Sequence, residues 1–469
     1  MFHWRWPHYR DGLLAHADAR ARAVMSAAGE PARRVSVAPP PLIGLARASF
    51  VEWRYFAVLS RAFHGIVGMA LVNPDCRFAR VAEGGLLLIV AGVIDRPRLP
   101  STAAGGAGAG VDIGVDAGAD AGIDTGIDSG IDTGIDSGID TGADPDTSPL
   151  FGDETAELCW MHLFAPASCA FDAPGGGPSA TGGLRASDAR CRLELEQADA
   201  ARATLRIEAG AGLTLHLSHA GLPGVALPSA FDRLDGWLGR ALGAHWQVQC
   251  AAPVARADGE LALQPDLLDG LAQAPGGEHP SYASAALRAR LRAGPVRLAW
   301  RGADGYAEHS FGIRPLPWQG WDFLFVPKAE TGEALVLQTY PGSQALRYLE
   351  VCWRQDGEPR QHRFGAEALR LEWVEQSVDP VLGARRPLRR RIEAEADGLR
   401  LTLDSRVLHR IALLRRSRLV VRHFFIGEEI GVADWRLSDG AGRVLAEVRG
   451  QPCGGELAHR RLRVPRCAR

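Results

Sequence analysis

The segment 300–340 carries the residue types and spacing best suited to catalysis. Residues 306–309 read Tyr-Ala-Glu-His, so a phenol and a carboxyl group lie two positions apart. On a β-strand Tyr306 and Glu308 share one face, and His309 points to the other. A carboxyl group held against apolar aromatic surface has a raised pKa and can act as a general acid near neutral pH. Aromatic residues crowd the same segment: Trp300, Trp318, Trp321 and Phe323.

The same residues also suit a purely structural role. In that alternative, Glu308 pairs with Arg301 or Arg314 at the surface, and Trp321 fills the hydrophobic core. The two alternatives differ in whether Glu308 faces an enclosed aromatic layer or a basic side chain.

The familiar catalytic signatures are missing from the sequence. It has no Walker loop, no Gly-rich dinucleotide fingerprint between a strand and a helix, no His-Glu-x-x-His and no Gly-x-Ser-x-Gly elbow. His216 and His219 are spaced so that a strand places them on opposite faces, which favours structural roles. The 8 cysteines include no Cys-x-x-Cys pair, unlike zinc sites. These observations indicate neither a metal nor an organic cofactor.

Charge and hydropathy limit the partners and the location. Two arginine-rich runs, 385–391 and 410–422, lack the interleaved aromatic residues that stack on bases, so no nucleic-acid partner is expected. They favour a solvated face or contact with an anionic surface. Residues 1–10 lack the apolar core of a secretory signal, and the longest apolar run, 84–94, is too short to span a bilayer. We therefore expect a cytoplasmic protein and leave open a peripheral contact with the inner face of the membrane.

Apolar periodicity predicts many short strands and few helices, which indicates an all-β fold built as a sandwich or closed barrel. Only 11–29 and 231–242 have a helical pattern. The predicted strands are 50–56, 64–72, 84–94, 158–164, 192–196, 203–208, 213–218, 296–300, 320–326, 334–340, 346–354, 391–395, 399–405, 419–425, 431–437 and 444–449.

A chain of 469 residues with 46% hydrophobic and 23% charged residues is typical of a globular protein of two or more domains. We predict an N-terminal helical segment over 1–34, a first β domain over 35–260, a linker over 261–294 and a second β domain over 295–469.

A tetrapeptide repeat interrupts the predicted first domain over 101–149. Asp recurs every four residues from Asp112 to Asp144, and Gly keeps the same step from Gly110 to Gly142. A glycine in every turn destabilises a helix by about 1 kcal/mol per position. The composition therefore predicts a disordered acidic insertion, with weak binding of divalent cations as the alternative.

Three short motifs resemble those of the carotenoid 1,2-hydratase and AttH-like group, a lipocalin-like superfamily. The family has a Tyr-x-Asp-x-x-x-Gly stretch, which residues 306–312 resemble with Glu308 in the place of Asp. The family's next element is similar to Trp-Asp-Trp. Residues Trp321-Asp322-Phe323 resemble it, with Phe323 in the place of the second Trp. Its N-terminal half has a Glu-Trp-Trp-Tyr-like strand, which residues 52–55 resemble with Arg54 in the place of the second Trp.

The resemblance implies two tandem lipocalin-like antiparallel β-barrels with a ligand pocket at their contact. It implies acid catalysis by Glu308 with Tyr306 and Asp322, and protonation of a terminal isoprenoid double bond. Aromatic faces would stabilise the resulting cation, and a water held by His309 or Asp322 would add to it. The other substrate-binding residues implied are Trp321, Phe323, Trp53, Tyr55 and Trp300.

Two classes of function follow from these observations. The first is a cofactor-independent enzyme acting on a hydrophobic isoprenoid or polyene substrate, by hydration or by cyclisation or isomerisation on the same fold. The second is a non-catalytic protein that binds lipids or other hydrophobic ligands. Both have a hydrophobic small molecule as partner and need neither metal nor cofactor.

Overall fold

Two antiparallel sheets contain nearly all of the regular structure among the described residues. The computed structural model describes residues 50–72, 85–96, 154–165, 168–171, 183–198, 201–225, 227, 230–233, 245–273, 281–313, 320–340, 346–378, 385–418 and 422–462. The predicted helix 11–29 and the repeat 101–149 lie outside them.

The first sheet has 13 strands within the described residues, in the order β12-β4-β3-β2-β1-β13-β11-β9-β8-β7-β6-β5, with β10 paired to β11. Its strands are β1 (Phe50–Leu59), β2 (Phe63–Val72), β3 (Gly85–Ile94), β4 (Ala156–Phe164), β5 (Cys169–Phe171), β6 (Leu184–Ser187), β7 (Cys191–Gln197), β8 (Arg202–Ala209), β9 (Leu213–Gly221), β10 (Ala230–Arg233), β11 (His245–Leu263), β12 (Tyr282–Ala283) and β13 (Val296–Ile313).

The second sheet has 9 strands within the described residues, in the order β17-β16-β15-β14-β22-β21-β20-β19-β18. Its strands are β14 (Gly320–Lys328), β15 (Glu333–Thr339), β16 (Arg347–Gln355), β17 (Glu358–Phe364), β18 (Leu369–Val378), β19 (Arg385–Ala396), β20 (Leu399–Arg418), β21 (Arg422–Asp439) and β22 (Val444–Leu462). Each sheet curls into a half-barrel, so the predicted all-β class and lipocalin-like architecture are confirmed.

The segment between residues 261 and 294 is more ordered than a linker. It contains the end of β11, β12 and the two helices α1 (Leu267–Gln273) and α2 (Ala285–Ala293). The side chain of Ser284 caps α2 by accepting a hydrogen bond from the amide of Leu287. The predicted helix 231–242 begins instead as strand β10, because residues 230–233 pair with β11, and 234–242 lie outside the described residues. None of the helices among the described residues has the length and apolarity that crossing a membrane requires.

The predicted domain boundaries stay predictions, although β13 shows where the first sheet extends. Strand β13 lies within the predicted second domain by position, yet it pairs with β1 on one side and β11 on the other. Its 18 residues are long enough to pair with both neighbours over most of its length.

Strand alternation gives each sheet an inner face and an inter-sheet face. The inner face of the first sheet buries a large core that includes Phe56, Val58 and Ala307. The inner face of the second sheet buries another core, which includes Leu324 and Val326. Residues between these positions on the same strands point the opposite way and bring the two sheets together.

A glycine on β22 allows the sheets to pack closely. Gly454 pairs with Phe325 of β14, and a Cβ at Gly454 would lie 2.3 Å from the ring of Phe325. The ring therefore lies flat over the backbone of β22. In that position it stacks on Tyr306 of β13, which belongs to the first sheet.

Candidate active site between the two sheets

Glu308 lies at the centre of the first sheet. It pairs with Tyr55 of β1 and with Cys250 of β11. The register between β11 and β13 shifts beside it, between Cys250 and Ala252 and again between Ala252 and Ala255. Such bulges redirect side chains and are common beside active sites.

The Glu308 carboxyl group is buried among neutral hydrogen-bond donors. The Tyr306 hydroxyl donates to Oε2 at 2.8 Å, the Gln338 amide donates to Oε2 at 3.0 Å, and the Ser310 hydroxyl donates to Oε1. Burial raises the pKa of Glu308, and the three hydrogen bonds offset only part of that effect. No arginine, lysine or histidine of the described chain contacts this carboxyl group. The raised pKa and the shared strand face of Tyr306 and Glu308 agree with the sequence-based expectation.

Two further buried glutamates face the same layer from the second sheet. Gln338, Phe323, Glu456 and Glu428 are direct cross-strand neighbours on β15, β14, β22 and β21, so their side chains form one row. The row faces β1 and β13, since Gln338 reaches Glu308 and the Tyr55 hydroxyl donates to Oε1 of Glu428.

Both glutamates of this row have raised pKa values. Burial is the main cause that raises the pKa of Glu456 to about 8. The 2.5 Å hydrogen bond from the Trp321 indole lowers this pKa, and the nearby charge of Glu308 raises it. Burial and the charge of Glu456 raise the pKa of Glu428 well above its ordinary value. Burial and the charge of Glu428 likewise raise the pKa of Tyr55. The layer therefore holds three carboxyl groups whose pKa values are raised by burial.

Aromatic rings surround these carboxyl groups. Tyr306 stacks on Phe325 with the ring centroids 4.5 Å apart and the planes 14° apart. Tyr55 meets Phe323 and Phe325 edge to face at 6.2 Å and 5.9 Å. Half-buried Trp321 packs beside a small apolar cluster of Val248, Tyr340, Leu346 and Tyr348.

The structure thus brings five of the predicted site residues together between the sheets: Glu308, Tyr306, Tyr55, Phe323 and Trp321. Half-buried Trp53 shares their face of β1 by strand alternation. A Cβ on Gly68 would lie 3.3 Å from the ring of Trp53, so this ring covers the neighbouring strand β2.

Asp322 lies on the other face of β14, away from Glu308. Its carboxyl group accepts hydrogen bonds from Arg390 at 2.8 Å and 3.1 Å and from the Trp373 indole at 3.2 Å. Arg390 is fully buried and also donates to Glu429 at 2.5 Å. This network holds the inner face of the second sheet together and does not place Asp322 near the inter-sheet layer.

His309 also points away from Glu308, as its position on the strand predicts. It lies 2.8 Å from Oε1 of Glu52, and Arg54 approaches the same oxygen at 3.5 Å. Arg54 donates to Gln197 at 3.0 Å. These side chains adjoin a cavity of about 10 Å³ on the inner face of the first sheet, which is room for about one water molecule.

The sequence expectation for Trp300 places it near the substrate, but its ring belongs to the first core. Its ring is buried there and stacks on Phe63 with centroids 5.6 Å apart. Trp318 and Arg314 lie outside the described residues.

Sequence reasoning missed Glu428, Glu456, Gln338, Ser310 and Phe325. The available signal was a charged residue within a strand of mainly apolar residues. Glu428 and Glu429 lie between Gly427 and Ile430, and Glu456 lies between Gly455 and Leu457. Buried carboxyl groups of this kind are rare without partners, so they mark a candidate site. Among the described residues, no group of three or more His, Cys, Asp or Glu side chains is placed to hold a metal ion.

Comparison with known proteins finds distant likenesses of fold. No protein-family model and no curated protein matches the sequence. Solved structures similar to the chain include CghA with Sch210972, at 12% identity and TM-score 0.46 over 87% of this chain and 88% of that one. Kievitone hydratase from Nectria haematococca follows at 8% identity and TM-score 0.42, over 87% and 88%. A provisionally named AttH protein from Nitrosomonas europaea has 10% identity and TM-score 0.39, over 87% and 92%. The last of these proteins is named after the AttH group that the sequence motifs resemble.

Proposed function

We propose that the protein is a cofactor-independent acid catalyst acting on a hydrophobic isoprenoid or polyene substrate, with addition of water to a terminal double bond as its reaction. One observation carries the proposal: Glu308 is a buried carboxyl group with a raised pKa, held by Tyr306, Ser310 and Gln338 and contacted by no basic residue of the described chain. If Glu308 only formed a surface ion pair, an arginine side chain would contact its carboxyl group.

The reaction balances with Glu308 as both acid and base. The Glu308 O–H bond breaks as its proton forms a C–H bond with the terminal alkene, whose π electrons supply the pair. The products are a tertiary carbocation and the Glu308 carboxylate. A water oxygen then bonds to the cationic carbon, and its surplus proton returns to Glu308. The net change is addition of one water molecule to the double bond.

The neighbours of Glu308 have roles that follow from their contacts. Ser310 can donate to the carboxylate or accept from the carboxylic acid, so its contact suits both protonation states. Oε1 of Gln338 is buried and has no hydrogen-bond partner among the described residues, so it can orient the attacking water. Tyr55, Phe323 and Trp321 offer aromatic faces to the cation.

The test compares Glu308→Gln with wild type on polyenes extracted from membranes, with products identified by mass spectrometry. Loss of a general acid should lower turnover by about 10²–10⁴-fold while the bound polyene is retained. Glu350→Gln is the matched control, because Glu350 is also buried on this face of the second sheet but accepts a hydrogen bond from Arg363.

The product distinguishes the alternatives. A compound heavier than the substrate by one water molecule supports hydration, and an isomer of equal mass indicates cyclisation or isomerisation. A bound, unchanged polyene indicates a carrier. Normal turnover by the Glu308→Gln variant would show that the assigned acid is wrong.

A further inference from the structure

The inter-sheet layer contains more buried carboxyl groups than its proposed acid requires. Glu428 and Glu456 are 1% and 6% exposed, and each is a direct cross-strand neighbour of the other. No arginine, lysine or histidine of the described chain contacts either carboxyl group or Glu308. Elsewhere on the same sheet, buried carboxyl groups do have arginine partners, as Glu429 has in Arg390 and Arg410.

Three acceptor atoms in the row of Gln338, Phe323, Glu456 and Glu428 have no hydrogen-bond partner among the described residues. They are Oε2 of Glu428, Oε2 of Glu456 and Oε1 of Gln338. Gln338 is 1% exposed, and its amide nitrogen donates to Glu308, so its free oxygen belongs to the same layer. A buried polar atom without a partner is destabilising unless water or a ligand completes it.

The surroundings of these atoms are aromatic. Tyr55 packs edge to face against Phe323 of the row, and the Trp321 indole donates to Glu456 at 2.5 Å. Half-buried Trp321 also packs against the buried cluster that contains Tyr340 and Tyr348. Carboxyl oxygens combined with aromatic faces are the surroundings that favour an organic cation over a neutral or anionic ligand.

We propose that this layer is a binding site for an apolar organic cation. Glu428 and Glu456 recognise it by the charge that they acquire as they release a proton on binding, and the aromatic rings recognise it by their faces. A quaternary alkylammonium is the simplest ligand of this class. Under the proposed function, on which this second step depends, the same two carboxyl groups stabilise the carbocation formed when Glu308 gives up its proton. Binding of the ammonium itself does not depend on turnover.

The test measures calorimetric binding of three ligands with the same chain: octyltrimethylammonium, octanol and octanoate, each below its aggregation concentration. We expect the ammonium to bind at least about tenfold more tightly than octanol, and octanoate to bind least. The double variant Glu428→Gln/Glu456→Gln should lose the preference for the ammonium. Glu350→Gln, with its Arg363 partner outside the row, should keep it.

Two results would overturn the inference. One is equal affinity of the wild-type protein for the ammonium and octanol, which needs no variant and so is independent of folding. The other is an unchanged ammonium preference in a folded double variant. If the preference is found but no polyene is converted, the cation site stands and the proposed catalysis fails. If Glu308-dependent turnover is found without the preference, only the cation site fails.

Discussion

Tyr306 of the first sheet stacks on Phe325 of the second, with ring centroids 4.5 Å apart and planes 14° apart. Tyr306 also donates a hydrogen bond to Glu308. Through the stacking contact it therefore packs against strand β14, which carries Phe325 and pairs with β22. The stacking contact depends on Gly454, because only a residue without a Cβ leaves room for the ring of Phe325.

Gly454→Ala should therefore disturb both the sheet contact and the site. A Cβ 2.3 Å from the Phe325 ring forces that ring towards Tyr306, and overpacking of this kind costs about 1–3 kcal/mol. We expect a lower free energy of unfolding in urea and a reduced rate of polyene conversion. Gly210→Ala is the control, since its Cβ would meet only a carbonyl oxygen at 3.6 Å. Equal stability of the two variants would contradict the packing argument.

The raised pKa of Glu456 predicts how stability changes with pH. The unfolded carboxyl group ionises near 4.5, whereas the folded one ionises at about 8. Between these pH values the Glu456 carboxyl group is protonated in the folded state and ionised in the unfolded state. Its contribution to the free energy of unfolding is therefore complete below pH 4.5 and is lost as the pH rises to about 8. The slope for one such group is about 1.4 kcal/mol per pH unit.

Glu456→Gln removes this titration and should flatten the fall of the free energy of unfolding across that range. Urea unfolding at several pH values measures it. Glu447→Gln is the control, because Glu447 is a surface residue of the same strand. A variant with the wild-type slope would show that Glu456 does not ionise on unfolding as described.

Asp322→Asn should affect folding more than chemistry. Arg390 is fully buried, and it donates two hydrogen bonds to Asp322 and one to Glu429. Removing one partner of a buried pair costs about 3–5 kcal/mol. Asp404→Asn, which breaks a half-exposed pair with Arg389, should cost about 0–1 kcal/mol. Chemical denaturation compares the two, and a similar small loss in both would return Asp322 to the list of candidate catalytic residues.

Tyr306→Phe removes a hydrogen bond that favours the ionised form of Glu308. The pKa of Glu308 should therefore rise further above its ordinary value. Because the acid must be protonated to act, the high-pH limb of the rate profile should move to higher pH. Tyr348→Phe, on the same face but without a contact to Glu308, should leave the limb in place. A limb that moves to lower pH in Tyr306→Phe would contradict the assigned acid.

Removal of residues 99–148 should leave the fold unchanged. Strands β3 and β4, which flank this segment, are antiparallel neighbours, and Ile94 pairs with Ala156. A short turn can therefore join them. We expect the same melting temperature with and without the segment, and a large decrease would show that it supports the sheet.

The strands could be predicted from sequence because alternation and apolar runs are local properties. The central strand of the site shows the limit of that reasoning. Residues 296–300 predict its beginning, but β13 continues to Ile313 because β1 and β11 pair with it on both sides. Pairing between strands that are far apart in the sequence, such as β1 and β13, leaves no local pattern in either strand.

The candidate site was predictable in part for the same reason. Glu308 and Tyr306 are neighbours in sequence, so their shared face follows from strand geometry. Glu428 and Glu456 join them only through the contact between the sheets. Strand alternation alone places Asp322 on the opposite face of β14 from Trp321 and Phe323. Only the tertiary structure shows which of the two faces meets Glu308.

The alternation of β13 also sets which changes of length the chain can tolerate during evolution. Between β3 and β4, fifty residues can be gained or lost because the flanking strand ends are already adjacent. Within β13, one inserted residue before Glu308 would turn its carboxyl group into the first core and bring His309 to the second sheet. Divergence of this protein should therefore proceed by long insertions at hairpin ends and by substitution, but not by single-residue gaps, along its central strand.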